Sequence, residues 1–156
     1  MKIRLIVIGK TTESYLREGI EIYTKRLTHY TDFSLIELDE IKGSKKISMD
    51  EYRKKEAVKI IPQLNADRII LLDEKGKMYT SFGFAKKINK AMIQGIRSMD
   101  FVVGGPFGFD DSVRKIAHES LSLSDMTFSH QMIRLFFAEQ LYRGMTIIKG
   151  ESYHHS

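Results

Sequence analysis

Cysteine is absent from this chain of 156 residues, which excludes disulfides and thiolate metal sites. That absence suits a reducing compartment. No apolar run approaches the roughly 18 residues that a membrane-crossing helix needs. The opening MKIRLIVIGK meets Gly9 and Lys10 too soon to form a signal-peptide core. We therefore expect a soluble, cytoplasmic protein with no membrane partner and no metal. Nucleotide fingerprints are also missing. Gly9-Lys10-Thr11 resembles the end of a phosphate-binding P-loop, but that motif needs glycine five positions before Gly9, and Arg4 stands there. The dinucleotide pattern GxGxxG is not found either.

What is present is enough apolar material for one core. Hydrophobic residues make up 42% of the chain, and a domain of this size hides roughly 70% of its unfolded surface. Residues 1–156 read as a single domain, with no repeat or linker to divide them. A net charge of +5 biases the chain mildly towards anionic partners. Seven basic residues fall between Lys42 and Lys59 (Lys42, Lys45, Lys46, Arg53, Lys54, Lys55, Lys59). They read as a solvated loop and helix face, or as a phosphate-tracking patch.

Lys2 to Ile8 is nearly continuous in apolar residues, as in a strand covered on both faces. Thr12-Glu13-Ser14 starts a helix carrying Leu16, Ile20, Tyr23 and Leu27, ending near His29. Phe33 to Leu38 is a second strand. Ser48 with Glu51 forms a capping box for a helix that stops before Pro62. Asp67 to Leu72 is a third strand, followed by a turn over Asp73 to Lys77. Ser81 opens a helix that finishes near Gly95, and Phe101 to Val103 is a fourth strand. Strands and helices alternate through connections too long for hairpins. This is the pattern of an α/β fold with a mostly parallel sheet and helices on both faces. Ligands of such sheets sit outside the carboxyl ends of the strands, here at Leu72-Asp73 and Gly104-Gly105.

Two stretches could hold a ligand with main-chain groups. Gly104-Gly105-Pro106-Phe107-Gly108 brings backbone close to a neighbour, although it also reads as a plain turn before a helix at Asp110-Asp111-Ser112. Leu121 to Phe128 alternates small polar and apolar residues and leads to Ser129, an N-cap candidate. That run reads equally as a last strand before a capped helix. His130 reads as a capping or packing residue, or as a general base. The helix from Gln131 to Ile148 is greasy on more than one side, with Ile133, Phe137, Leu141 and Met145 on one face and Met132, Leu135, Phe136 and Tyr142 beside it. A second buried side predicts a homodimer through this helix. The ending Tyr153-His154-His155 is either a frayed tail or a functional arm.

GGPFG, the run SLSDMTFSHQMIRLFFAEQLYR and the terminal SYHH resemble the SPOUT-class ribosomal RNA large subunit methyltransferase H family. The likeness extends from KIRLIVIGK through LLDEKGK to the tail. It implies a trefoil-knotted homodimer that uses S-adenosyl-L-methionine to methylate N3 of a pseudouridine in large-subunit rRNA on the ribosome. Carried onto matching positions, the cofactor contacts are Leu72, Gly104 with its neighbour Gly105, and Leu123, Ser124, Asp125, Met126, Thr127 and Phe128. His130, Arg134, Tyr153 and His154 are the catalytic candidates, and one subunit's tail is expected to complete the other's site. RNA contact is expected from the basic run, Arg134 and Arg143. Relatives often carry proline where this chain has Ser129, and Lys or Arg where it has His155. The competing reading from a different class is a non-catalytic RNA- or ribosome-binding domain.

Overall fold

The structure, a computed structural model, describes residues 1–43 and 46–153. Strands and α-helices alternate among the described residues: β1 (Lys2–Ile8), α1 (Ser14–Leu27), β2 (Asp32–Leu38), α2 (Met49–Ile60), β3 (Arg68–Met78), α3 (Ser81–Ile93), β4 (Ser98–Val103), α4 (Asp111–Ile116), β5 (Glu119–Ser122) and α5 (Met132–Lys149). The strands form one sheet in the order β2-β1-β4-β3-β5, and every pair is parallel. Alternation within each strand divides the core. Ile3, Leu5 and Val7 of β1 join Phe84, Ile88, Phe137 and Leu141 under the helices α3 and α5. Ile6 and Ile8 face the opposite way, onto Ala57, Ile60 and Val113 of α2 and α4. Both faces of the sheet are therefore covered, which is why β1 reads as an unbroken apolar run.

Local chemistry sets the helix starts. Ser48 Oγ accepts from the Glu51 N–H at 3.2 Å, so the capping residue expected for α2 is in place. α2 gives way at Ile61–Gln63 to a 3-10 turn containing Pro62. α3 opens at Ser81 as expected, and Thr80 before it is the cap, accepting from the Gly83 N–H at 3.0 Å. Gly150 ends α5 in the left-handed conformation (φ 69°), with the Glu151 N–H returned to the Thr146 carbonyl at 2.9 Å.

The third strand departs from expectation. Residues 73–77 do not leave the sheet as a turn. β3 bulges there and resumes pairing, so that Leu121 of β5 is partnered by both Leu72 and Lys77. Gly76 makes this possible, because a Cβ at that position would stand 2.5 Å from the backbone N and C of Leu121. The bulge pushes Asp73, Glu74 and Lys75 out beyond the carboxyl end of the sheet.

The greasiness of α5 also has a source within the chain. One side packs on the sheet through Phe137, Ala138 and Leu141. The flanks meet α1 and α3, with Leu135 against Gly19 and Gly144 against Phe84. Met132, Phe136, Glu139 and Arg143 remain half-buried along the outward stripe. Among the described residues, no helix is long and apolar enough to cross a membrane, and no group of His, Asp or Glu could hold a metal ion.

Candidate active site

The carboxyl ends of β3, β4 and β5 lie side by side, because Leu72 is in register with Val103 and with Leu121. Above them opens a cavity of about 910 Å³, at the upper end of the range for small-molecule sites. Its floor is apolar (Leu72, Val103, Leu121, Leu123, Phe128, Ile133), and its walls are the 73–75 bulge, the 104–108 turn and the 122–130 segment. Arg53 and Lys54 from α2 and Arg114 from α4 line it together with Asp50, Asp73, Glu74, Asp110 and Asp111, so its rim is of mixed charge. The Arg114 guanidinium is tied to Asp73 at 2.6 Å and lies over the Phe109 ring.

Each wall is held by its own bonds. Gly105 and Gly108 form an isolated bridge, and Gly108 turns the chain at φ 75°, where a side chain would be strained. In the 122–130 segment, Ser122 Oγ donates to the Ser124 carbonyl (2.8 Å), and Ser124 Oγ accepts from the Met126 N–H (2.9 Å). Phe128 stacks on Phe136 with ring centres 4.6 Å apart. Ser129 does cap the last helix, one turn before its regular start, by accepting from the Met132 N–H at 3.1 Å.

The structure thus brings Leu72, Gly104, Gly105, Leu123, Ser124, Met126, Thr127, Phe128 and His130 to one cavity. Asp125 is exposed on the same segment but does not line it. His130 keeps its ring at the rim. Partial burial, and then the nearby Arg134 guanidinium, hold its pKa below the usual histidine value, with Glu40 pulling the other way.

Arg134 is placed differently from expectation. It is fully enclosed, and in this chain its side chain reaches neither the cavity nor the surface. Its Nη2 donates to the Ile8 carbonyl (2.8 Å), Nη1 to the Gly9 carbonyl (3.0 Å) and Thr11 Oγ1 (2.9 Å), and Nε to the His130 carbonyl (3.0 Å). Gln131 adds two more ties, accepting from the Thr12 N–H and donating to the Lys10 carbonyl. Together they clamp the β1–α1 loop to the start of α5. Tyr153 is also remote. It packs edge-on against Tyr142 with ring centres 4.7 Å apart, under the Arg143 guanidinium, with its hydroxyl 3.2 Å from both the Tyr23 hydroxyl and Glu139. Tyr142 is nine positions along the helix from Ile133 at the cavity, about 14 Å along the axis. His154, like Lys45 of the basic run, lies outside the described residues.

One residue of the site was missed in the sequence. Glu56 of α2 is 2% exposed and lies behind the glycine turn, where its Oε2 accepts from the Gly105 N–H at 3.2 Å. Burial raises its pKa to about 7, against the opposing pull of the Gly105 amide and the Tyr52 hydroxyl. The signal was available, since Tyr52, Glu56 and Ile60 recur every four residues and place a carboxylate on the apolar stripe of α2.

The comparisons agree with this geometry. Residues 1–154 match a family model described as "Predicted SPOUT methyltransferase". Among similar curated proteins is a "Ribosomal RNA large subunit methyltransferase H" of Cytophaga hutchinsonii, 51% identical over 156 residues and covering 99% of this chain and 100% of its own. Proteins of that name from Flavobacterium johnsoniae and Parabacteroides distasonis are 49% and 50% identical, each over 99% of both chains. A solved "probable methylase family protein" of Haemophilus influenzae shares the fold, with a TM-score of 0.55 at 9% identity over 99% of this chain and 70% of its own. With an end-to-end family match and relatives at half identity over their whole length, this chain belongs to the SPOUT methyltransferase family.

Proposed function

We propose that the protein transfers a methyl group from S-adenosyl-L-methionine to N3 of a pseudouridine in large-subunit rRNA, acting as a homodimer on the ribosome. The observation that carries this reading is the convergence of Leu72, Gly104 and the 123–128 segment on one cavity at the carboxyl rim of a parallel sheet. The names of the half-identical relatives supply the substrate class. The trefoil threading of the carboxyl-terminal segment belongs with the same reading.

The residues present fit the donor. An adenine ring needs an apolar slot, which Leu72, Val103, Leu121 and Leu123 provide. Its polar edges and ribose need main-chain partners, which the glycine turn and the 123–128 segment offer. The rim carries both signs, which suits a zwitterionic amino-acid group: Lys54, with Arg53 and Arg114 in their ion pairs to Asp50 and Asp73, for its carboxylate, and Glu74 for its ammonium group. When bound, the donor supplies a methyl group already activated on a sulfonium.

The chain's own task is then to hold two reactants in line, an effect worth roughly 7–11 kcal/mol of barrier, and to take up one proton. N3 of the base must lose its hydrogen as the new N–C bond forms. His130 lines the cavity, and its lowered pKa favours the neutral form, which can accept that proton. Arg134 and Gln131 serve by fixing the backbone that carries His130. Tyr153 docks far from its own cavity, so a tail contribution comes from the second copy, across the outward stripe of α5. RNA is held through exposed Lys42, Lys46, Lys54 and Lys55 and recognised by the shape of a preformed ribosomal surface.

The test is transfer of a labelled methyl group to whole ribosomes, isolated subunits and free rRNA, with the modified base identified by mass spectrometry. Label on N3 of a large-subunit pseudouridine is expected. Binding of ribosomes with no transfer and no thermal shift by S-adenosylhomocysteine would overturn the reading in favour of a non-catalytic RNA-binding domain. A saturating ligand at about 100 times its Kd adds roughly 2.7 kcal/mol.

A further inference from the structure

Glu56 is buried behind the glycine turn with one of its carboxyl oxygens unpartnered among the described residues. A carboxyl group at 2% exposure is costly unless its oxygens are partnered. Here Oε2 takes the Gly105 N–H, while Oε1 is buried with no hydrogen-bond partner among the described residues. The turn is shaped around this group, because a Cβ on Gly105 would fall 1.9 Å from Oε1 and 2.7 Å from the carboxyl carbon. Tyr52, one turn earlier on α2, is 8% exposed and packs edge-on against Phe107 of the same turn at 5.2 Å. A core built only for stability would put an apolar side chain here.

The geometry of the turn suggests what the carboxyl group is for. No peptide in the described chain is cis, so the two polar groups of the Gly104–Gly105 peptide point in opposite directions. With the N–H drawn to Glu56 behind the turn, the Gly104 carbonyl points to the side of the turn opposite the Glu56 carboxyl group. We propose that Glu56 is a positioning residue: by holding the Gly105 N–H it fixes the Gly104 carbonyl towards the cavity as an acceptor for a donor group of the bound methyl donor, such as an amine of its adenine or amino-acid part. This rests on the cofactor reading above. It assigns to a residue outside the cavity lining the job of setting the lining's polarity.

Two variants separate this from a role in folding. Glu56→Met keeps the shape and removes the acceptor; Glu56→Gln keeps an acceptor carbonyl and removes the charge. Binding of S-adenosylhomocysteine by calorimetry, thermal unfolding and methyl transfer to ribosomes are read for both and for the unaltered protein. The Met variant should unfold at the same temperature or higher, bind about tenfold more weakly, and show a raised KM for the methyl donor with kcat nearly kept. The Gln variant should bind within about threefold of the unaltered protein. A Met variant that binds as tightly as the unaltered protein overturns the proposal. So does one that cannot fold, since the carboxyl group would then be serving the core. If the unaltered protein itself fails to bind S-adenosylhomocysteine, the cofactor reading falls first.

Discussion

The guanidinium of Arg134 lies 2.9 Å from the hydroxyl of Thr11, 123 residues away in sequence, and no part of the arginine reaches solvent. Thr11 in turn donates from both its hydroxyl and its N–H to Glu37, at 2.7 and 2.6 Å. The Glu37 carboxylate is 3.5 Å from the arginine. One residue of α5 thus joins the ends of β1 and β2 to the backbone of His130.

Arg134→Ala should cost about 3–5 kcal/mol, because it strands the Ile8 and Gly9 carbonyls and leaves Glu37 without its cation. Arg134→Lys should recover only part of this, since an ammonium cannot reproduce the planar fork that meets four acceptors. Urea unfolding measures both. A loss of turnover with stability intact would instead give Arg134 a direct part in the chemistry.

Glu56 makes stability depend on pH in a direction opposite to that of a salt-bridged carboxylate. Its folded pKa, about 7, is above the ordinary 4.5. The folded state therefore binds more protons than the unfolded state between those values. The stabilisation is fully present below about pH 4.5 and lost as pH rises through about 7. Up to about 3 kcal/mol is at stake. Glu56→Gln removes the titration, so the stability of the unaltered protein relative to this variant should fall across that window and level off above it. A flat difference would mean that the carboxyl group titrates normally.

Gly76→Ala should destabilise the protein by about 1–3 kcal/mol through overpacking, because the added carbon meets the main chain of Leu121 and Ser120 rather than movable side chains. The strain would fall on the β3–β5 pairing that shapes the bulge over the cavity. Hydrogen exchange at Leu121 and Ser122 should therefore rise more than exchange at β1. Equal protection in both strands would place the cost elsewhere.

Gly76 also illustrates what the sequence could and could not reveal. Lys2–Ile8 was legible to the residue because burial on both faces leaves an unbroken apolar run. The stretch from Asp73 to Lys77 has a turn-like composition, and a glycine required by close approach looks the same in sequence as one required by a turn. Only the neighbouring backbone of β5 distinguishes them. The burial of Arg134 was hidden for a related reason. Nothing local to an arginine on a greasy helix marks it for burial, because its acceptors are carbonyls at the far end of the chain. Glu56 was hidden inside a charge run whose exposed members, Lys54 and Lys55, are what the composition suggested. The two cavity loops, by contrast, were marked by their own residues and by position at strand ends.

The docking of Tyr153 leads to a prediction about the tail. In its own chain the ring is fixed on Tyr142, between Arg143 and Glu139, and the connection to the cavity runs about 14 Å along α5. Removing residues 153–156 should therefore leave S-adenosylhomocysteine binding nearly unchanged, since no described part of the tail lines the cavity. If the tail acts on the second copy, turnover should nevertheless be lost. The decisive measurement mixes two inactive forms, the tail-deleted chain and a chain whose cavity is blocked by Leu123→Arg. A mixed dimer then carries one open cavity facing one intact tail, and a random mixture should regain about a quarter of the unaltered activity, by the counting of paired chains in a closed twofold assembly. Activity retained by the tail-deleted chain alone would remove the tail from the site. Failure of the mixture, with mixed dimers demonstrated by native mass spectrometry, would mean that each tail serves its own chain.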